Sequence, residues 1–304
     1  MEIVGNKNII SYLEKAAENN SLAQTYIFCG PKSVGKARAA EWIAEKLLKT
    51  VANRLHTNPD FLKMEQGSIG KEDIDMAINW LSLSPYGGFC KILVINNAEQ
   101  MSVSAANAFL KTLEEPAKRA IIILITSQLG RLLPTIISRS VVLKFKTASK
   151  DEIFDFLKNY GAKDAKKYVN LSGGKPGRAV ELIENPKKVS ESREDIEEFK
   201  ELFFGGYPER FAIAGKISTI KGEAVKEKIA QKIDFWLEVI RDILLLKYSL
   251  NDSPIYIKDC DLLNNISGLK PAGYFASLGE RLIKMKQLLG NNINFKLMLE
   301  NLII

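Results

Sequence analysis

The stretch FCGPKSVGKARAAEWIAEKL constrains this chain more than any other. The apolar run QTYIFCG ends in glycine, and Gly30, Gly35 and Lys36 stand at Gly-x4-Gly-Lys spacing. A segment with few β-branched residues follows directly. That order predicts a buried strand, a tight loop and a helix. In such a loop, backbone N–H groups and the helix N-terminus surround phosphate oxygens, and the lysine ammonium reaches the outer phosphates. One position breaks the pattern. A magnesium site of this kind needs a hydroxyl after the lysine, and the residue there is Ala37.

The second set of metal ligands is missing too. Acidic residues belong at the end of a second strand, and KILVINNAEQ offers Asn96 and Asn97. Asparagine has no charge to hold a hard cation and no basic oxygen to orient an attacking water. Glu99 stands two to three residues beyond the strand end, where its reach into the site is not expected. ATP hydrolysis by this chain alone is therefore not expected.

Around the loop, CKILVIN and AIIILIT are uninterrupted apolar runs of strand length, as in strands buried on both faces of a parallel sheet. NKNIISYLEKAAE and SVSAANAFLKTLEEP read as helices, the second with Leu110 and Leu113 inward and Pro116 past its end. Strands and helices in alternation predict an α/β domain with a parallel sheet over 1–147. SKDEIFDFLKNYG then opens with a capping box, Ser149 and Glu152, and closes on Gly161. Everything beyond is helical in character. NPKKVSESRED is polar, contains a proline and reads as a linker, which divides a small helical domain (148–187) from a C-terminal helical domain (188–304). In the latter, Ile229, Ile233, Trp236, Ile240 and Leu244 form one stripe, expected to be core.

Composition excludes several classes. Cys29, Cys90 and Cys260 are too few and too scattered for a disulfide framework or a zinc ribbon. The single histidine, His56, is expected at the surface. AIIILIT is far shorter than the roughly 20 residues that span a bilayer, and MEIVGNKNII lacks the features of a secretory signal. A cytoplasmic protein with no membrane partner is expected. The net charge of +7 permits contact with nucleic acid without establishing it.

The block NNAEQMSVSAANAFLKTLEEPAKRAIIILITSQLGRLLPTIISRSVVLKF resembles the AAA+ module of bacterial clamp loaders, which open a sliding clamp and place it on primed DNA. ANAFLKTLEEP and LLPTIISRS carry the resemblance most specifically, and NPDF and IGKEDIDMAINWLSLSPYGGFCKILVI are similar to the matching stretch. The likeness covers roughly residues 1–185, and NINFKLMLENLII is more weakly similar to the family's last collar helix. It implies an α/β AAA+ P-loop domain, a helical lid domain and an all-helical collar.

Within that family the tau and gamma motor subunits retain the magnesium ligands, whereas a stator subunit loses them. Ala37, Asn96 and Asn97 make this chain similar to the stator. From its position alone, Arg139, in ISRS, reads as an arginine pairing locally with a carboxylate at a helix end; the resemblance implies instead an arginine finger acting in trans on a neighbour's ATP. It implies that Thr126 faces the γ-phosphate position and that Arg178 points at the nucleotide from the lid. With Gly30, Gly35 and Lys36 these form a vestigial site that leaves room for weak binding of ATP or ADP, with no cofactor required. The partners implied are the tau/gamma motor subunits and the delta subunit and, through the assembly, the sliding clamp and primer–template DNA.

The sequence departs from the family where a four-cysteine zinc module usually precedes the NPD stretch, so no zinc is expected; Asn58 replaces the family's histidine and Ser140 its cysteine. Two other readings stand beside the stator: an active ATPase of the same type, and a stand-alone DNA-binding protein with a relic loop. One local conflict remains. Glu114 and Glu115 lie at a helix C-terminus, where the macrodipole disfavours negative charge, and a basic group on an adjacent subunit is their expected partner.

Overall fold

The computed structural model describes residues 3–65, 67–87, 90–162, 164–185, 187–218, 225–248, 260–289 and 295–303. They divide into two compact units, one of Met1–Lys163 with Gly174–Arg178 and one of Asp164–Gly173 with Ala179–Ile304.

The first unit runs α1 (Lys7–Glu18), β1 (Thr25–Cys29), α2 (Lys36–Leu47), α3 (Ala52–Leu55), β2 (Phe61–Met64), α4 (Lys71–Ser82), β3 (Lys91–Ile95), α5 (Val103–Glu114), β4 (Ala120–Thr126), α6 (Pro134–Ile137), β5 (Val141–Lys144) and α7 (Lys150–Asn159). The five strands form one parallel sheet in the order β2-β3-β4-β1-β5. The parallel α/β architecture expected from the apolar runs is present. β1 is inserted between β4 and β5, so the loop that follows it opens in the middle of the sheet.

Strand alternation divides the core into two layers. Ile27, Leu93, Ile95, Ile122 and Leu124 pack with Ile74, Phe109 and Ile136, contributed by α4, α5 and α6. Tyr26, Phe28, Ile92, Val94, Ile123 and Ile125 pack with Leu13 of α1 and Ile43 of α2. Leu113 is buried as expected, and Leu110 packs half-buried beside it. α7 begins with the expected box: Ser149 Oγ accepts from the Glu152 N–H while the Glu152 carboxylate accepts from Ser149. Gly161, with φ of 83°, follows its end.

The helices that follow are α8 (Ala165–Leu171), α9 (Pro176–Glu184), α10 (Lys187–Phe204), α11 (Tyr207–Ser218), α12 (Val225–Lys247), α13 (Cys260–Leu269), α14 (Ala272–Leu288) and α15 (Phe295–Ile303). The division between the units falls within α9. In the second unit Ile196, Phe199, Phe203, Trp236, Phe275 and Leu282 form a core. The Trp236 ring meets Phe203 edge-on at 5.4 Å. The α12 stripe is core, as expected: Ile229, Ile233, Trp236 and Ile240 are buried and Leu244 packs against them.

One expectation is corrected. NPKKVSESRED is not a linker, because α10 begins at Lys187 and runs for 18 residues. From Lys187 to Phe204 there is no glycine or proline, and Ile196, Phe199 and Phe203 recur at helical spacing into the core. That burial outweighs the polarity of the first turns. Pro186, and Asn292 to Asn294 of the terminal stretch, lie outside the described residues. Among the described residues no helix is long and apolar enough to cross a membrane.

Candidate functional site

The phosphate loop has its expected setting: β1 ends at Cys29, the loop turns through residues 30–35, and α2 starts at Lys36. Gly30 has φ of 145°, and a Cβ there would lie 2.2 Å from the Phe145 carbonyl oxygen. Only glycine fits, because Phe145 donates its N–H to Cys29 O at 2.7 Å and brings the chain after β5 against the loop. Gly35, at φ 96°, precedes the helix. Ser33 also has a positive φ, 63°, a conformation that costs a non-glycine residue on the order of 1 kcal/mol. Nothing in the Gly-x4-Gly-Lys spacing signals it.

Lys36 does not point at open space. It is buried, and its ammonium donates to the carbonyls of Gly30 at 2.6 Å and Pro31 at 2.5 Å. Burial pushes its pKa down to about 8, against the opposing pull of the Glu99 charge. The folded chain thus sheds this proton near pH 8, and the unfolded chain near the ordinary lysine value of 10.5. Between those values the unfolded state binds more protons, so stability rises with pH. Wild-type stability is accordingly expected to rise between pH 8 and 10.5, and Lys36→Met to lose that rise, as read from urea midpoints across that range. A rise retained in Lys36→Met would exclude this charge as its cause.

The metal positions do not fit a divalent cation. Ala37 presents a methyl group, and Asn96 Oδ1 accepts from the N–H of Asn97 at 3.2 Å. Among the described residues, no group of three or more His, Cys, Asp or Glu side chains could hold a metal ion.

Glu99 departs from expectation. After β3 ends at Ile95, Asn97 adopts φ of 50° and residues 98–100 form a 3-10 turn. Asparagine tolerates this left-handed conformation, and the turn swings Glu99 to the end of β4. There Glu99 Oε1 accepts from the Ser127 N–H at 3.1 Å and from its hydroxyl at 2.7 Å. Burial would raise this carboxyl, but hydrogen bonds from Ser127 and Thr126 bring it below the usual carboxylate range. Chain distance from a strand end says nothing about the turn that follows, so the Ser127 contact was not legible in the sequence.

Thr126 is buried at the end of β4, and its hydroxyl oxygen accepts from the Gln128 N–H at 3.0 Å. Its carbonyl accepts from the Gly30 N–H, tying this strand end to the start of the loop. Gly177, in the first turn of α9, donates its N–H to Ser33 O at 2.9 Å. A Cβ on Gly177 would crowd Ser33 at 3.1–3.4 Å. The structure thus brings Gly30, Gly35, Lys36 and Thr126 together, and Arg178 adjoins the residue that docks on the loop.

Arg139 is held elsewhere, just past α6. Its guanidinium lies 2.5 Å from Glu114 at the end of α5 and donates to the Thr135 carbonyl at 2.9 Å. Its side chain keeps 34% of its surface exposed. Glu114 thus has a basic partner within its own chain. This pairing across 25 positions offsets the unfavourable helix end and is the local arginine–carboxylate contact that the position of Arg139 alone suggests. His56 is exposed, as expected, beside Phe61 and 3.9 Å from Glu41.

A family model described as "DNA polymerase III, delta subunit" matches residues 5–149. A DNA polymerase III subunit delta' of Bacillus subtilis is 27% identical, over 97% of this chain and 94% of its own length. A delta' subunit of Pseudomonas aeruginosa is 31% identical over 58% of this chain and 60% of its own. A gamma subunit-related protein of Thermotoga maritima, solved as a crystal structure, aligns over 96% of this chain and 97% of its own at 21% identity, with a TM-score of 0.48. The sheet order and phosphate loop define the first unit as an α/β P-loop domain. Its sequence matches the DNA polymerase III delta family model over residues 5–149, and the chain is similar to delta' subunits of that polymerase.

Proposed function

We propose that this chain is the stator of a clamp loader, an AAA+ subunit that turns over no ATP itself and lends Arg139 to the ATP site of a neighbouring motor subunit. One observation carries the reading. The phosphate loop keeps its backbone while Ala37, Asn96 and Asn97 occupy its metal positions, and an exposed guanidinium stands on the same unit. A finger needs no metal in its own subunit, only a planar cation that can donate to developing charge on the phosphoryl group.

On this reading residues 1–147 form the AAA+ domain, 148–187 the lid and 188–304 the collar that joins a circular hetero-oligomer. The neighbours are the tau/gamma motor and delta subunits. The sliding clamp and primer–template DNA are reached through the assembly. The remaining positions, Gly30, Gly35, Lys36, Thr126 and Arg178, form a site without metal chemistry.

The test is DNA-stimulated ATP turnover by the reassembled loader, with this chain as wild type or Arg139→Ala. A second readout is Mg²⁺-dependent turnover by the isolated chain. Substantial turnover there would favour the active-ATPase reading, which Ala37 and Asn96 oppose. Tight, salt-sensitive DNA binding by the isolated chain would favour the relic-loop DNA binder.

A further inference from the structure

We infer that Glu99 is a built-in anion that occupies the charge position of a nucleotide's terminal phosphate and keeps triphosphates off the loop. Glu99 Oε1 takes both the N–H and the hydroxyl of Ser127, directly after the strand end that the resemblance assigns to the γ-phosphate. Its other oxygen, Oε2, is buried without a hydrogen-bond partner among the described residues. A buried carboxylate oxygen left unpaired is costly unless a positive charge stands near it. The Glu99 charge is felt at Lys36, whose ammonium is held over the loop by the Gly30 and Pro31 carbonyls.

The arrangement reproduces, with protein groups alone, the partners of a bound phosphate. The strand-end donors at Ser127 are bonded to a carboxylate. The loop's lysine is bonded to carbonyls of Gly30 and Pro31 and balanced by that same carboxylate. An incoming triphosphate brings about four negative charges toward a fixed one, in surroundings where charges are poorly screened. It must also displace the bonds that Ser127 and Lys36 already make. This goes beyond the loss of metal ligands. Those losses remove catalysis, whereas Glu99 removes affinity.

Binding of a fluorescent ATP analogue to the full chain, followed by anisotropy with Mg²⁺ and with EDTA, tests the inference. Glu99→Gln, which keeps an acceptor for Ser127 and drops the charge, is expected to bind at least ten-fold tighter than wild type, or 1.4 kcal/mol. Glu99→Ala should gain similarly, so a folding failure of one variant leaves the other informative. The gain should persist in EDTA and exceed any change for adenosine. It should vanish in a Lys36→Ala, Glu99→Gln double variant.

Unchanged affinity in either cooperatively unfolding variant would overturn the inference. So would wild-type binding that requires Mg²⁺ and is lost in Glu99→Gln, which would make Glu99 a metal ligand. The measurement uses the isolated chain and no step involving Arg139, so its failure and that of the stator reading are separable.

Discussion

Replacing Arg139 with alanine in the reassembled loader is expected to lower ATP turnover at the adjoining motor site by about 10³–10⁵-fold, the range of a trans-acting arginine. The geometry explains why the loss should be catalytic rather than structural. The Arg139–Glu114 pair is partly solvated on both sides, with 34% and 48% of the side-chain surfaces exposed. Exposed pairs contribute about 0–1 kcal/mol, so the variant should fold and assemble as wild type does. Arg139→Lys should recover little, because a lysine keeps the charge but lacks the planar fork that meets two phosphate oxygens.

Glu114→Gln separates two roles. If Glu114 only holds the guanidinium in place, the amide oxygen still accepts and turnover should stay within a few-fold of wild type. Normal turnover by Arg139→Ala, with assembly verified, would reduce Arg139 to a cap on α6 through its bond to the Thr135 carbonyl.

Asp60→Ala is expected to destabilise the first unit by about 3–5 kcal/mol, the cost of stripping one partner from a buried charged network. Asp60 is 2% exposed, and its two carboxylate oxygens accept from the N–H groups of Tyr86 and Gly87 at 2.8 and 2.7 Å. The ammonium of Lys91, itself buried, lies 4.0 Å away and sits over the Trp80 ring at 4.1 Å. Alanine would strand two N–H groups and leave Lys91 with only the ring. Asp60→Asn should fall between, because one acceptor survives while the charge facing Lys91 does not. Urea midpoints of the three proteins give the measurement, and a loss under about 1 kcal/mol for Asp60→Ala would refute the network's weight.

Asn58-Pro59-Asp60 shows what the sequence made legible and what it did not. The stretch was identifiable only by resemblance. Its physical content is a short turn in which Asn58 Oδ1 accepts from the Asp60 N–H at 2.9 Å, leaving the Asp60 side chain to hold a segment 26 positions on. Asparagine serves this turn where the family has histidine.

The strands β1, β3 and β4 could be read because they are buried on both faces and carry uninterrupted apolar runs with polar residues only at their ends. β2 could not. Its FLKM carries a lysine, satisfied by Glu41 of α2 at 2.7 Å and by Glu65, and four residues hold no periodicity. Glycine and lysine positions in the loop were legible because backbone conformation dictates them. The partners of Glu99, Glu114 and Lys36 were not. Each depends on contacts made by a turn or a distant helix end, and sequence spacing carries no record of either.

The two carbonyls that satisfy Lys36 have a consequence for the life of the protein between assembly events. A loop that relies on an anion for its shape couples folding to ligand concentration, gaining RT ln(1 + [L]/Kd) as the ligand accumulates. This loop closes its lysine with its own backbone and balances it with its own carboxylate. On the stator reading, its folded population is then expected to be independent of nucleotide concentration, and the unfolding midpoints with and without ATP should coincide.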